Sequence, residues 1–199
     1  MNDRLFFPLI LILAAAMVFL AMREDPNRLP TGPVGGADTD YGLVVIEDKN
    51  LNRILAGGAA EIDLLEQDGV KYLQISAAAG VLADDPALGP HFRLAADLET
   101  QYAGFNLKVT ISAKPAADQG AMAFEANYSA GKAGQSGWQI FDLVPDWAEY
   151  SFEVRVPQNS GQGVDYFGVR PLVPEKTRSV EIRSITFERL GRWDNGENG

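Results

Sequence analysis

Two hydrophobic patterns divide this chain. From Leu5 to Met22 the residues are Leu, Ile, Ala, Phe, Val and Met, interrupted only by Pro8. An apolar helix of about 18 residues just spans a hydrocarbon core of ~30 Å, so the stretch predicts one transmembrane helix. From Tyr41 the pattern changes to about ten short runs of period-2 alternation, parted by Gly, Asp, Asn and Pro clusters, which predicts an all-β domain. Phe105, Leu107, Val109 and Ile111 share one face of their run, and Asn106, Lys108, Thr110 and Ser112 share the other. Tyr150, Phe152, Val154 and Val156 repeat the device, as do Met122, Phe124, Ala126 and Tyr128. One face of each such strand belongs to a core and the other to water. Near the end the parity slips: Val180 and Ile182 agree with each other, but Ile185 and Phe187 fall on the opposite parity. One extra residue near Arg183 and Ser184, a β-bulge, accounts for the slip. Helical signal is sparse after the first run, with a turn or two expected over Asp48–Ala56 and a loop broken by Pro86 over Ala83–Leu88.

These patterns divide the chain into residues 1–22 as signal anchor, 23–40 as a Pro/Gly-rich linker, 41–191 as a β-sandwich domain and 192–199 as a flexible tail. The linker, with Pro26, Pro30, Pro33, Gly32, Gly35 and Gly36, lacks the apolar periodicity to offset its ordering entropy and reads as a spacer. A cleaved signal peptide would end in small residues. Cleavage after Ala16 would leave Met17–Met22 as a greasy terminus, and cleavage after Ala21 would set bulky Phe19 two residues before it. An uncleaved anchor follows: a single pass through the inner (cytoplasmic) membrane, with the domain in the periplasm or another extracytoplasmic space.

Charge and composition narrow the chemistry. A net charge of −10 argues against nucleic acid, whose phosphates such a chain repels. The absence of Cys removes disulfides, thiolate metal sites and Cys nucleophiles. The one histidine, His91, stands at the start of a run without a G-x-S-x-G nucleophile motif anywhere, so no Ser-His-Asp system is expected and the protein is read as a non-enzyme. No cofactor is expected apart from a structural calcium, for which Glu47 with Asp48 and Asp84 with Asp85 offer hard oxygen ligands.

Between Ser136 and Val156 the chain reads SGWQIFDLVPDWAEYSFEVRV, followed by DYFGVR at 165–170 and IRSITF at 182–187. Trp147, Tyr150 and Phe152 followed by these two runs resemble the second half of jelly-roll carbohydrate-binding modules of the galactose-binding-domain-like type. The resemblance implies a jelly-roll β-sandwich for Tyr41–Leu190. At Arg183 and Ser184 the chain departs from the acidic pair expected there.

Sugars offer C–H faces that stack on aromatic rings and hydroxyls that pair with polar groups, so aromatics beside Asn, Lys and Arg are the candidate ligand contacts. Trp138, Tyr128 and Trp193 neighbour Gly, Ser or Asn and are expected near loops, while Trp147, opening a well-alternated strand, is expected in the core. Tyr166 and Arg170 share a parity opposite to Phe167 and Val169. If their strand neighbours those carrying Asn106, Lys108, Glu153 and Arg155, one polar groove with an aromatic floor results. The expected ligand-binding set is therefore Trp138, Tyr166, Arg170, Asn106, Lys108 and Arg155. Two functions fit: a module recognising envelope or extracellular glycans, or a non-catalytic assembly component that docks another envelope protein.

Overall fold

The computed structural model describes residues 3–22, 28–36, 39–158 and 163–193. Its strands are β1 (Leu43–Glu47), β2 (Glu61–Gln67), β3 (Val70–Ala78), β4 (His91–Arg93), β5 (Phe105–Pro115), β6 (Ala123–Ser129), β7 (Gln139–Asp142), β8 (Ala148–Arg155), β9 (Tyr166–Pro171) and β10 (Thr177–Arg192). Two helices accompany them, α1 (Asp3–Met22) and α2 (Ala96–Tyr102). Every ladder between the strands is antiparallel. One sheet has six strands in the order β2-β3-β10-β5-β8 with β1 also on β10, and the other has four in the order β4-β9-β6-β7.

The alternation read from the sequence is what closes the sandwich. Leu107, Val109 and Ile111 of β5, and Val180, Ile182, Ile185 and Phe187 of β10, are buried against Phe124, Ala126 and Tyr128 of β6 and Phe167 and Val169 of β9. Phe187 is the hub of this layer, its ring edge-on to Phe167 at 5.2 Å and to Tyr128 at 6.3 Å. The slip in β10 is present: the pairing with β5 shifts between Ile182 and Ser184, so both halves of the strand turn their apolar residues inward. Met122 does not join the inward set; it precedes β6 and is 84% exposed.

Three further readings change on folding. Tyr128 lies 1% exposed, its hydroxyl donating to Asp165 Oδ2 at 2.7 Å, and does not reach a loop. α2 carries little sequence signal, because its N-cap is Ala95 without a side-chain cap and it runs only seven residues; packing of Leu98, Glu99 and Tyr102 forms it. The described part of the expected spacer is 28–36 and 39–40, and from Pro30 to Gly36 it is bonded to the sandwich. Val34 is buried and pairs with Leu94, Val34 N–H donating to the Arg93 carbonyl at 2.8 Å and Ala95 N–H to that of Val34 at 2.7 Å. The rest of the expected linker at 23–27 and 37–38, and of the expected tail at 194–199, lies outside the described residues.

The expected membrane span falls on α1, which is helical throughout. Its side chains are described over residues 10–19, all exposed, which is about half of the ~20 residues a bilayer requires. Among the described residues, no helix is long and apolar enough to cross a membrane.

Candidate functional site

The outer face of the four-stranded sheet, away from the core, carries His91 and Arg93 from β4, Tyr166, Gly168 and Arg170 from β9, and Glu125, Asn127 and Ser129 from β6. Strand alternation puts them there, since Phe92, Phe167, Val169, Phe124 and Ala126 take the core side. Much of this face is covered by two of the chain's own loops, the one before β4 and the one between β6 and β7.

Arg170 holds the two loops down. Its guanidinium donates through Nε to Glu125 Oε2 at 2.7 Å and through Nη1 to the Ala83 carbonyl at 2.5 Å, and the Trp138 ring lies 3.8 Å from its Cζ. Trp138 is tied in turn through Nε1 to the Asp84 carbonyl at 2.8 Å. The two meet above Gly168, where a Cβ would sit 2.8 Å from Pro86 Cβ and 2.9 Å from Trp138 Cη2; only a residue without a side chain lets both loops approach. Ser136 fixes the second loop, accepting from Tyr128 N–H at 3.0 Å and donating to Asn127 Oδ1 at 3.2 Å. His91 Nδ1 is 2.7 Å from the Gly89 carbonyl, which makes it the donor, and the imidazole meets the Tyr166 ring edge-on at 5.2 Å. His91 is buried and hydrogen-bonded, a structural strand residue.

Beside Trp138 the two loops leave a cleft of about 390 Å³ lined by Asp84, Asp85, Ser129, Gly131, Gly134 and Gln135. It combines carboxylate acceptors, a hydroxyl and an amide, which suits a polar, hydroxyl-bearing ligand; Trp138, bonded to the Asp84 carbonyl, holds the wall without lining the space. Sequence reasoning missed Ser129 and Gln135. The signal available was the glycine-rich stretch 131–137, whose glycines at 131, 134 and 137 all take positive φ.

The six expected ligand residues separate into two groups. Trp138, Tyr166 and Arg170 do gather on the four-stranded sheet. Asn106, Lys108 and Arg155 sit on the outer face of the six-stranded sheet, on the far side of the core, with Asn106 directly opposite Arg155 across the β5–β8 ladder. The expected single groove therefore does not form, because β9 pairs with β4 and β6 and never with β5 or β8. Arg170 is also corrected in kind: it is buried, ion-paired and stacked, a residue that positions the loops.

Trp147 is not core. It lies part-exposed on the outer face of the six-stranded sheet, edge-on to Tyr72 at 6.0 Å, with Lys114 Nζ at 5.1 Å and Arg183 Cζ at 5.0 Å from its ring centroid. Trp193 closes the end of β10 instead, Nε1 donating to the Val156 carbonyl at 2.8 Å. Of the acidic pairs expected to ligate calcium, Asp85 caps the short turn at Pro86–Leu88 through Ala87 N–H at 2.9 Å. Among the described residues no three His, Asp or Glu side chains converge as a metal site would require.

Solved structures resemble this fold. The tandem of two family-22 carbohydrate-binding modules from the N-terminus of Paenibacillus barcinonensis Xyn10C aligns with a TM-score of 0.50 at 12% identity, over 73% of this chain and 43% of that one. The carbohydrate-binding module 22-1 and GH10 modules of Clostridium thermocellum Xyn10B, complexed with xylohexaose, align at 0.49 and 12%, over 79% of this chain and 28% of that one. The xylan-binding module 22-1 of Xyn10C aligns at 0.48 and 13%, over 70% and 87%. This chain thus spans less than half the length of the first two. The fold is that of a carbohydrate-binding-module-like jelly roll; at these identities the likeness is one of fold. No protein-family model matches the chain, and no curated protein matches it.

Proposed function

We propose that the chain is a non-catalytic glycan-binding module, and that α1 anchors it in the inner membrane with the sandwich on the extracytoplasmic side. The observation that carries the binding reading is the cleft between the two loops, where Asp84, Asp85, Ser129 and Gln135 surround polar space. The jelly-roll fold supports the reading without naming a sugar. The length and composition of Leu5–Met22 support the anchor.

The test is retention of the full chain, in phosphocholine detergent, on affinity gels cast with cell-envelope, exopolysaccharide and plant polysaccharides, with and without calcium. Selective retention that Asp84→Ala abolishes, with the melting temperature little changed because that side chain is exposed, is the expected result. A folded protein that no gel retards would overturn the reading. A second reading, that of an assembly component, is favoured by Met122, Ile140 and Val144, which are 84, 59 and 48% exposed around the free edge strand β7.

A further inference from the structure

The outer face of the six-stranded sheet, opposite the cleft of Trp138, holds an aromatic cluster that the reading above does not use. A sheet face turned to water has no need of a tryptophan, and Trp147 carries the odd parity of Glu149 and Ser151, the wet side of β8. Its ring meets that of Tyr72 of β3 edge-on, with Lys114 of β5 and Arg183 at the bulge of β10 placed over it. Four elements converge here because the bulge throws Arg183 out of the ladder and because the β2–β3 turn is tight. That turn is Asp68-Gly69 with φ of +53° and +78°, the two-residue hairpin that Asp-Gly favours, and it delivers Gln67 and Asp68 to the rim. Gln67, Asp68, Val70, Tyr72, Lys114, Trp147 and Arg183 enclose a cleft of about 260 Å³.

The charges of the cleft select the ligand class. Lys114 is neutralised by Glu181 at 3.1 Å, and the cleft is lined by one carboxylate, Asp68, and one guanidinium, Arg183, so no sign of charge prevails. What remains is an amide, a carboxylate, an ammonium and a guanidinium around two rings, a set of donors and acceptors suited to hydroxyls. Arg183 makes one long side-chain hydrogen bond, to Ser112 Oγ at 3.3 Å, and no ion pair among the described residues. The indole N–H of Trp147 has no acceptor among the described residues, whereas those of Trp138 and Trp193 are bonded to carbonyls. We infer that this cleft is a second saccharide site, taking a neutral β-linked pyranose chain whose equatorial hydroxyls leave flat C–H faces to pack on Tyr72 and Trp147. Its volume, just under the ~300 Å³ at which small-molecule pockets begin, fits one ring of such a chain. With the cleft of Trp138 on the opposite face, the molecule would hold two glycan strands at once, and the avidity gained would exceed either contact alone.

The three indole N–H groups make the test direct, since each gives one nitrogen-proton NMR cross-peak. The full chain, ¹⁵N-labelled in phosphocholine micelles, is titrated with xylohexaose and with cellohexaose. The Trp147 peak is expected to move and saturate with at least one of them, to do so equally in Trp138→Ala, and to need about tenfold more sugar in Arg183→Ala and in Tyr72→Ala. Both of these partners are solvent-facing, so the variants fold, and the unmoved Trp193 peak reports it. A Trp147 peak that stays still with both sugars, or that saturates in Arg183→Ala and Tyr72→Ala at the same sugar concentration as in the unaltered chain, overturns the second site. Movement of the Trp138 peak alone leaves the first reading standing without the second, and movement of the Trp147 peak alone does the reverse.

Discussion

The hydroxyl of Tyr102 is buried with no hydrogen-bond partner among the described residues, against the ring of Phe187. An orphaned buried hydroxyl costs about 1–3 kcal/mol of desolvation, so Tyr102→Phe is expected to leave stability unchanged or raise it by about 1 kcal/mol in denaturant titration. Burial also raises the Tyr102 pKa well above the ordinary tyrosine value, with Arg189 pulling weakly the other way. Tyr128 is raised likewise, first by burial and then by Asp165. In both cases the folded state keeps a proton that the unfolded state releases above about pH 10. Their contribution is therefore complete below that pH and is lost as pH rises toward their folded values. Tyr102→Phe should flatten the alkaline limb of a stability-versus-pH curve. Arg170 is the opposite kind of residue: Arg170→Ala would strand the buried Glu125 carboxylate and cost about 3–5 kcal/mol, far more than deleting a ligand contact, which a thermal melt distinguishes. Neither residue's role is written in the sequence, because each depends on partners 45 to 87 positions away. Trp147 differs, since its odd parity with Glu149 and Ser151 sets it on the wet side of β8; its place at the opening of an alternating strand reads as core, whereas the parity is the signal to follow.

At the scale of elements, alternation is legible because burial acts residue by residue along a strand. The inward faces of β5, β8 and β10, including the slip at Ile182 and Ser184, follow from it. Which strands share a sheet does not, since any alternating strand can pair with any other. That is why Arg155 and Arg170 were brought into one groove in the sequence and stand on opposite sheets in the fold. The segment 28–36 shows a further limit. Its Pro and Gly content argues for a spacer, but one buried Val34 and a pair of backbone bonds across to β4 and Ala95 attach it. Asn52 and Arg53 add side-chain bonds to the carbonyls of Pro30, Thr31 and Pro33. A soluble fragment beginning at Arg28 should therefore be more stable than one beginning at Asp38 by about 2 kcal/mol, roughly the value of burying one valine with its bonds. Equal urea midpoints for the two fragments would show the docked segment to be energetically idle.

For the whole molecule, the proposal of a membrane anchor and the docking of 28–36 bear on each other. If the chain is held by α1 and the sandwich begins with a docked segment, residues 23–29 separate the two, since the first residue bonded to the domain is Pro30, whose carbonyl accepts from Asn52. Seven residues reach at most about 25 Å when fully extended. The domain then cannot sweep far from the bilayer, and glycan it binds must come within that distance of the membrane surface. A net charge of −10 would keep the domain from lying flat on anionic headgroups. The expected outcome follows in two parts. The full chain should stay in the membrane fraction through high salt and alkaline carbonate, whereas a chain starting at Arg28 and exported on a cleavable signal should be released as soluble protein. Lengthening the 23–29 segment with a Gly/Ser insert should leave fractionation unchanged but extend the reach of the domain, read as increased protease access to an engineered site at Arg28. A full chain washed out by carbonate would remove the anchor and, with it, the constraint on reach.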